Sequence, residues 1–180
     1  MRHSAALFIG AMLGWSFIGA TAFGQENRPT EYQIKAAFLF NFAKFVEWPP
    51  AALGSDTAPM IIGVLGDNPF HNDLERTIQN KAVGGHPLLV KYLRAPDEAV
   101  RCQILFISSS EKARLPQILQ AVKGASVLTV SEMDHFTTSG GMINLVLQAD
   151  KIHFQINNTA ATDVRLKISS KLLALAVPSD

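Results

Sequence analysis

Four stretches of this chain are apolar with little or no interruption: Met60–Leu65, Pro87–Leu93, Cys102–Ile107 and Ser126–Val130. Runs of this length between turn residues predict strands covered on both faces, so helices must lie above and below one sheet. The intervening segments supply them. Gly66-Asp67-Asn68-Pro69 turns the chain into a helix expected to reach about Gln79, with Asn68 as N-cap and Pro69 in the first helical position. Ser108, Ser109 and Ser110 offer a cap to a second helix over Lys112–Val122, which Gly124 stops. Strand, helix, strand, connection, strand, helix, strand is the alternation that builds a parallel sheet.

The last third changes period. Met142–Gln148 and Lys151–Asn157 are joined by Ala149-Asp150 alone, a link that allows only an antiparallel hairpin. In its second arm Ile152, Phe154 and Ile156 alternate with His153 and Gln155, so one face is buried and one is wet. Gly140-Gly141 is expected to turn the chain sharply into this hairpin. Asn157-Asn158-Thr159 begins a helix or turn, and Leu172–Val177 is the apolar side of a last helix that Pro178 ends. The expected fold is a three-layer α/β domain with a mostly parallel central sheet, flanking helices and an antiparallel hairpin at one edge.

Residues 1–24 carry a basic start at Arg2 and His3, an apolar run from Ala5 to about Ala20, and small residues at the exit. This pattern predicts a secretory signal peptide, cleaved after Ala22 or Gly24. An uncleaved membrane anchor competes, because the run approaches bilayer-spanning length. Gly10, Gly14 and Gly19 and the small-residue exit favour cleavage. Residues 25–180 then form one domain of an exported chain. The formal net charge of +1 falls to zero with the loss of Arg2. With neither a basic run nor basic-aromatic interleaving, nucleic acid is not an expected partner.

Thr30–Pro50 reads as one helix. Thr30 and Gln33 have capping-box spacing, and Trp48 before Pro49-Pro50 is pushed out of the α region. Ile34, Phe38, Leu39, Phe42, Ala43, Phe45 and Val46 spread over a wide apolar arc, with Gln33, Lys44 and Glu47 opposite. Phe40 falls within the polar face, flanked by Ala37 and Trp48. Four of the chain's eleven phenylalanines (38, 40, 42 and 45) lie in this helix, more than one buried stripe needs. Either a second element covers Phe40 and Trp48, or they face a partner.

Candidate chemistry is sparse. Gly63-x-x-Gly66-Asp67-Asn68 lies at the carboxyl end of a strand, where open α/β sheets receive ligands. Gly66, Asp67, Asn68 and Ser108 are therefore the candidate small-molecule site, although turn and cap roles explain the same residues. Histidines 71, 86, 135 and 153 lack metal-ligand spacing, and there is no G-x-S-x-G. The sequence gives no reason to expect an enzyme, a metal or a cofactor. Cys102 is the one cysteine, so no disulfide can form within the chain, and its apolar neighbours predict an inert core thiol.

YQIKAAFLFNFAKFVEWP (32–49) and LKISSKLLALA (166–176) resemble the opening and closing signatures of the YfiR/HmsC-like family of periplasmic proteins. IIGVLGDNPF (61–70), CQILFIS (102–108), VLTVSE (127–132) and KIHFQINNTAA (151–161) fall between them in the family's order. The resemblance implies a non-enzymatic regulator that engages the periplasmic part of an inner-membrane signalling protein. The best understood members repress a diguanylate cyclase, lowering cyclic di-GMP and biofilm formation. With Cys102 alone, the disulfide switch of cysteine-richer relatives does not carry over. The expected partner surface joins Phe40, Lys44, Glu47 and Trp48 to Arg165, Lys167, Ser169 and Ser170, on the grounds that aromatic and Arg anchors suit interface centres. A homodimer and a small-molecule ligand complete the expected associations.

Overall fold

The computed structural model describes residues 29–179; the expected signal peptide lies outside them. α1 (Glu31–Phe45) begins with both halves of its capping box made: Thr30 Oγ1 accepts from the Gln33 N–H, and Gln33 Oε1 accepts from the Thr30 N–H. It stops sooner than the sequence suggests. Val46 takes extended backbone, and Val46–Glu47 becomes a short strand, β1, followed by one helical turn, α2 (Pro50–Leu53). Trp48 therefore stands beyond the helix, directly before Pro49, where a following proline disfavours helical backbone.

The main strands are β2 (Met60–Leu65), β3 (Ala82–Val83), β4 (His86–Leu93), β5 (Ile104–Ile107), β6 (Leu128–Ser131), β7 (Ile143–Gln148) and β8 (Lys151–Ile156). They form a seven-stranded sheet in the order β3-β4-β2-β5-β6-β7-β8. The five central strands are parallel, and β3 and β8 are antiparallel additions at the two edges. The strand order runs one way from β2 to β4 and the other way from β2 to β7. This is the doubly wound arrangement that puts helices on both faces.

Side chains alternate between two cores. Ile62, Val64, Ile104, Phe106, Leu128, Val130, Ile143 and Leu145 pack with Ala36, Leu39, Phe42 and Ala43 of α1 and with Leu74 and Ile78 of α3 (Asp73–Ile78). Leu65, Leu105 and Ile107 point the other way, toward Leu115 and Ile118 of α4 (Leu115–Ala121) and toward Phe136. Two 3₁₀ turns, Pro96–Arg101 and Ser109–Arg114, complete that layer. Edge-to-face aromatic pairs tie the first core together: Phe42 lies 5.5 Å from Phe154, and Phe70 lies 4.8 Å from Phe106.

Several helices are shorter than expected. Asn68 Oδ1 accepts from the Phe70 N–H, and His71 has φ +50, so a turn occupies 69–72 before α3 starts. The helix expected over Lys112–Val122 opens as 3₁₀ and becomes α only at Leu115. α5 (Asn158–Asp163) is capped by Asn157, whose side chain accepts from the Ala160 N–H. Beyond it, β9 (Lys167–Ile168) pairs antiparallel with β1 as a separate two-stranded ribbon, and α6 (Ser170–Leu173) follows under a Ser169 cap. The last helix thus ends before Leu175, where the sequence extends it to Val177.

Cys102 is 3 % exposed, at the entry to β5, and burial pushes its thiol up to about 11. A Cβ on Gly63 would come 2.8 Å from its Sγ, so the thiol fills the space that this glycine leaves. We expect Ellman's reagent at pH 8 to leave native Cys102 untouched and to titrate it fully in guanidinium. Rapid reaction of the native chain would contradict this packing.

Candidate functional site

The β1–β9 ribbon brings the chain's two ends together. Glu47 stands opposite Lys167, Val46 stands opposite Ile168, and the Ser169 N–H donates to the Phe45 carbonyl at 2.9 Å. Val46 and Ile168 point into the core while Glu47 and Lys167 are exposed, as alternation in a one-sided ribbon requires. Lys44 and Arg165 are exposed beside them in sequence. Five of the eight expected partner residues, Lys44, Glu47, Arg165, Lys167 and Ser170, are thus solvent-facing.

Phe40 is half-buried against the core, and its outer surface is not bare. The Lys44 ammonium lies 5.5 Å and the Lys81 ammonium 4.3 Å from its ring centroid. Cation–π attraction holds both amines over the ring, so the site presents two positive charges where the sequence suggested an aromatic anchor. Phe45 is the more exposed aromatic of α1, at 36 %.

Trp48 departs from its expected place on this surface. It is 7 % exposed, and its Nε1–H donates 3.1 Å to the Gln103 carbonyl. Gln103 is itself a buried clamp: its Oε1 accepts from the Ile61 N–H at 2.7 Å, and its Nε2 donates to the Ala52 carbonyl at 2.6 Å. The indole therefore plugs the core where β2, β5 and α2 meet, because a pre-proline residue leaving a helix end falls back onto the sheet.

Arg165 takes a left-handed backbone, φ +64, where the chain leaves α5. With Arg101 it lines a cavity of about 570 Å³ at the N-terminal ends of β2, β5 and β6. The partner candidates thus gather toward that end of the sheet.

The ligand candidates lie at the opposite end. Gly66, Asp67, Asn68 and Ser108 do converge where β2 and β5 finish, at the reversal of strand order. The crevice is nevertheless filled from within. The Asp67 N–H donates to Ser110 Oγ at 2.9 Å, and a Cβ on Gly66 would meet Ser110 Oγ at 2.5 Å and Glu111 Cγ at 2.7 Å. Asn68 spends its amide on the Phe70 N–H, the His71 carbonyl and Tyr92 Oη. These residues close a turn, and the side chains of Ser110 and Glu111 pack directly against Gly66.

The sequence reading passed over a charged cluster in the first signature. Lys35 is 4 % exposed and forms ion pairs with Glu31 and Glu132; Tyr32 Oη donates to Glu132 Oε1 at 3.3 Å. Burial alone would lower the Lys35 ammonium, but hydrogen bonds and charge from Glu132 and Glu31 outweigh it and hold the group above the usual lysine value. The signal was present in the register, since Lys35 sits one turn before Leu39 and two before Phe42 on the buried stripe. Among the described residues, no group of three or more His, Cys, Asp or Glu is placed to hold a metal ion. No helix among them is long and apolar enough to cross a membrane.

The molecule is an open, doubly wound α/β protein whose exposed candidate site is a charged ribbon at the N-terminal end of the sheet. The chain belongs to the YfiR/HmsC-like family, whose description matches residues 32–177. No curated protein matches the sequence. Among solved structures, a conserved domain protein from Vibrio cholerae O1 biovar El Tor str. N16961 is similar, with a TM-score of 0.60 and 13% identity over 84% of this chain and 60% of that one. At that identity the likeness is one of fold, and this chain spans less than two thirds of that protein's length.

Proposed function

We propose that this chain is a non-enzymatic periplasmic regulator, exported by its first 24 residues and working as one domain over 25–180. It binds the periplasmic part of an inner-membrane signalling protein, represses a diguanylate cyclase, and so lowers cyclic di-GMP and biofilm formation. The family is one of periplasmic regulators of diguanylate cyclase signalling, which supports this reading. Repression requires only tighter binding to the inactive state, by about 1.4 kcal/mol for each tenfold shift in population.

The observation that carries the reading is the β1–β9 ribbon, which joins the family's two signature segments at an exposed edge. Lys44, Lys81, Arg165 and Lys167 outnumber Glu47 there, so the complementary face is acidic. In a pull-down against the cyclase's periplasmic domain, Lys44→Glu with Lys167→Glu should weaken capture by about tenfold or more, since like charges brought together across an interface cost several kcal/mol. Both side chains are exposed, so the fold should survive. Unchanged capture by the folded double variant would remove this surface from consideration.

A further inference from the structure

The seven-stranded sheet is closed off at one edge and open at the other. Beside β8 the C-terminal segment takes the place of a further strand: the Val177 N–H donates to the Phe154 carbonyl at 2.9 Å, and Gln155 Nε2 donates to the Pro178 carbonyl at 3.2 Å. At the opposite edge β3 covers only His86 and Pro87 of β4, and the Leu88 N–H donates to the Lys81 carbonyl at 3.1 Å. Beyond that point β4 runs on to Leu93 with β2 alone beside it, in unbroken register.

Strand alternation decides which groups this edge presents. The Leu88 N–H points away from β2, so the N–H and C=O of Val90 and Tyr92 point away from it as well, while Leu89, Lys91 and Leu93 bond inward. Among the described residues no backbone group pairs with those four outward groups. The edge is also held in place, because the Tyr92 hydroxyl accepts from Asn68 Nδ2 at 3.1 Å and donates to Glu75. An edge without a proline or a bulge over Leu88–Leu93 is a template for another strand.

The side chains say what kind of strand fits. Leu89, 46 % exposed, and Lys91 project from one face, and Tyr92, 48 % exposed, from the other. Lys91 has no ion pair among the described residues. A second copy of this chain suits the edge poorly. Two-fold pairing has to be antiparallel, and Lys81 already fills the space beside Leu88, so the register that satisfies all four free groups sets Val90 against the copy's Tyr92. That register puts Lys91 directly opposite its own counterpart, and like charges so placed destabilise a sheet.

We propose that the open edge of β4 takes an extended segment of a partner protein as an eighth strand, with an acidic residue opposite Lys91 and an apolar one opposite Leu89. The inference rests on the reading of this chain as a regulator that binds a partner protein. The edge adjoins the lysine-covered side of α1, since the same Lys81 sets its ammonium 4.3 Å from the Phe40 ring centroid. In strand addition of this kind main-chain hydrogen bonds supply the affinity, and alternate side chains supply the selectivity.

NMR titration of the purified chain with the end-blocked peptide VTETV tests the proposal, its glutamate set opposite Lys91 and its valines opposite Leu89 and Leu93. The Val90 and Tyr92 amides should exchange rapidly in the free chain and become protected as the peptide saturates. VTETV methylated on the backbone nitrogens of both threonines should not bind, because it keeps the side chains and loses the donors. VTKTV should bind about fivefold more weakly, and Lys91→Glu, at an exposed position that leaves the fold intact, should reverse that order. The proposal is overturned if VTETV shows no saturable binding at millimolar concentration, if the methylated peptide binds equally well, or if Lys91→Glu leaves the preference unchanged. Dimerisation of the free chain that protects the Val90 amide would give the edge to a second copy and overturn it as well. The peptide probes the edge without the ribbon, so its failure is distinct from unchanged capture by the Lys44 and Lys167 double variant.

Discussion

Trp48→Ala will lower the free energy of unfolding by about 3–5 kcal/mol, the usual cost of emptying a core aromatic site. In urea the midpoint should fall while the slope stays the same, because the native fold is kept and only its depth changes. Two losses add. The indole leaves a void in the core that it shares with Val46, Met60 and Ile168, and the Gln103 carbonyl loses its donor. Trp48→Phe separates them, since it keeps most of the volume but strands the carbonyl, at about 1–3 kcal/mol. Phe40→Ala should cost less than Trp48→Ala, because its ring is only half-buried and its outer face meets lysine amines rather than packed side chains. Loss of partner binding by Trp48→Ala at undiminished stability would return the indole to the surface and refute its place in the core.

The contrast between these two aromatics shows what a sequence can convey. The parallel sheet was legible because continuous apolar runs have one economical home, between two layers of helices, and the register distributes Ile62 and Val64 to one layer and Leu65 to the other. The Thr30 cap was legible because its signal is local. The β1–β9 ribbon was not, since two residues per strand carry no period and the pairing joins positions more than a hundred residues apart. Lys35 escaped notice because a charge on a buried stripe makes sense only once Glu132 arrives from the end of β6. The expected ligand crevice shows a different limit. Gly66, Asp67, Asn68 and Ser108 were placed at the right strand ends, but the side chains of Ser110 and Glu111 that fill the space come from the next turn, and no spacing rule reports volume. In this family member, the residues that the sequence assigned to one surface divide into an exposed ribbon, a lysine-covered ring and a core plug.

Gly141→Ala should be the most damaging single methyl that can be added near the hairpin, at about 3 kcal/mol, the upper end for overpacking a core. A Cβ there would sit 2.2 Å from Phe136 Cε1 and 2.4 Å from Cδ1. Phe136 has no solvent exposure and packs among Leu105, Ile107 and Met133, so it cannot swing aside. Gly140 and Gly141, both expected as turn formers, thus serve different ends. Gly140 has φ +101 and ample room, with Leu119 Cδ1 3.8 Å from its virtual Cβ, so alanine there costs about 1–2 kcal/mol through backbone conformation. Gly141 lies outside the left-handed region and is required for space alone. The two causes are separable by a double-mutant cycle. Phe136→Leu vacates ring volume, so it should relieve part of the Gly141→Ala penalty, giving a coupling of about 1 kcal/mol or more, whereas the same substitution beside Gly140→Ala should be additive. Additivity in the Gly141 pair would mean that the ring and the glycine do not touch.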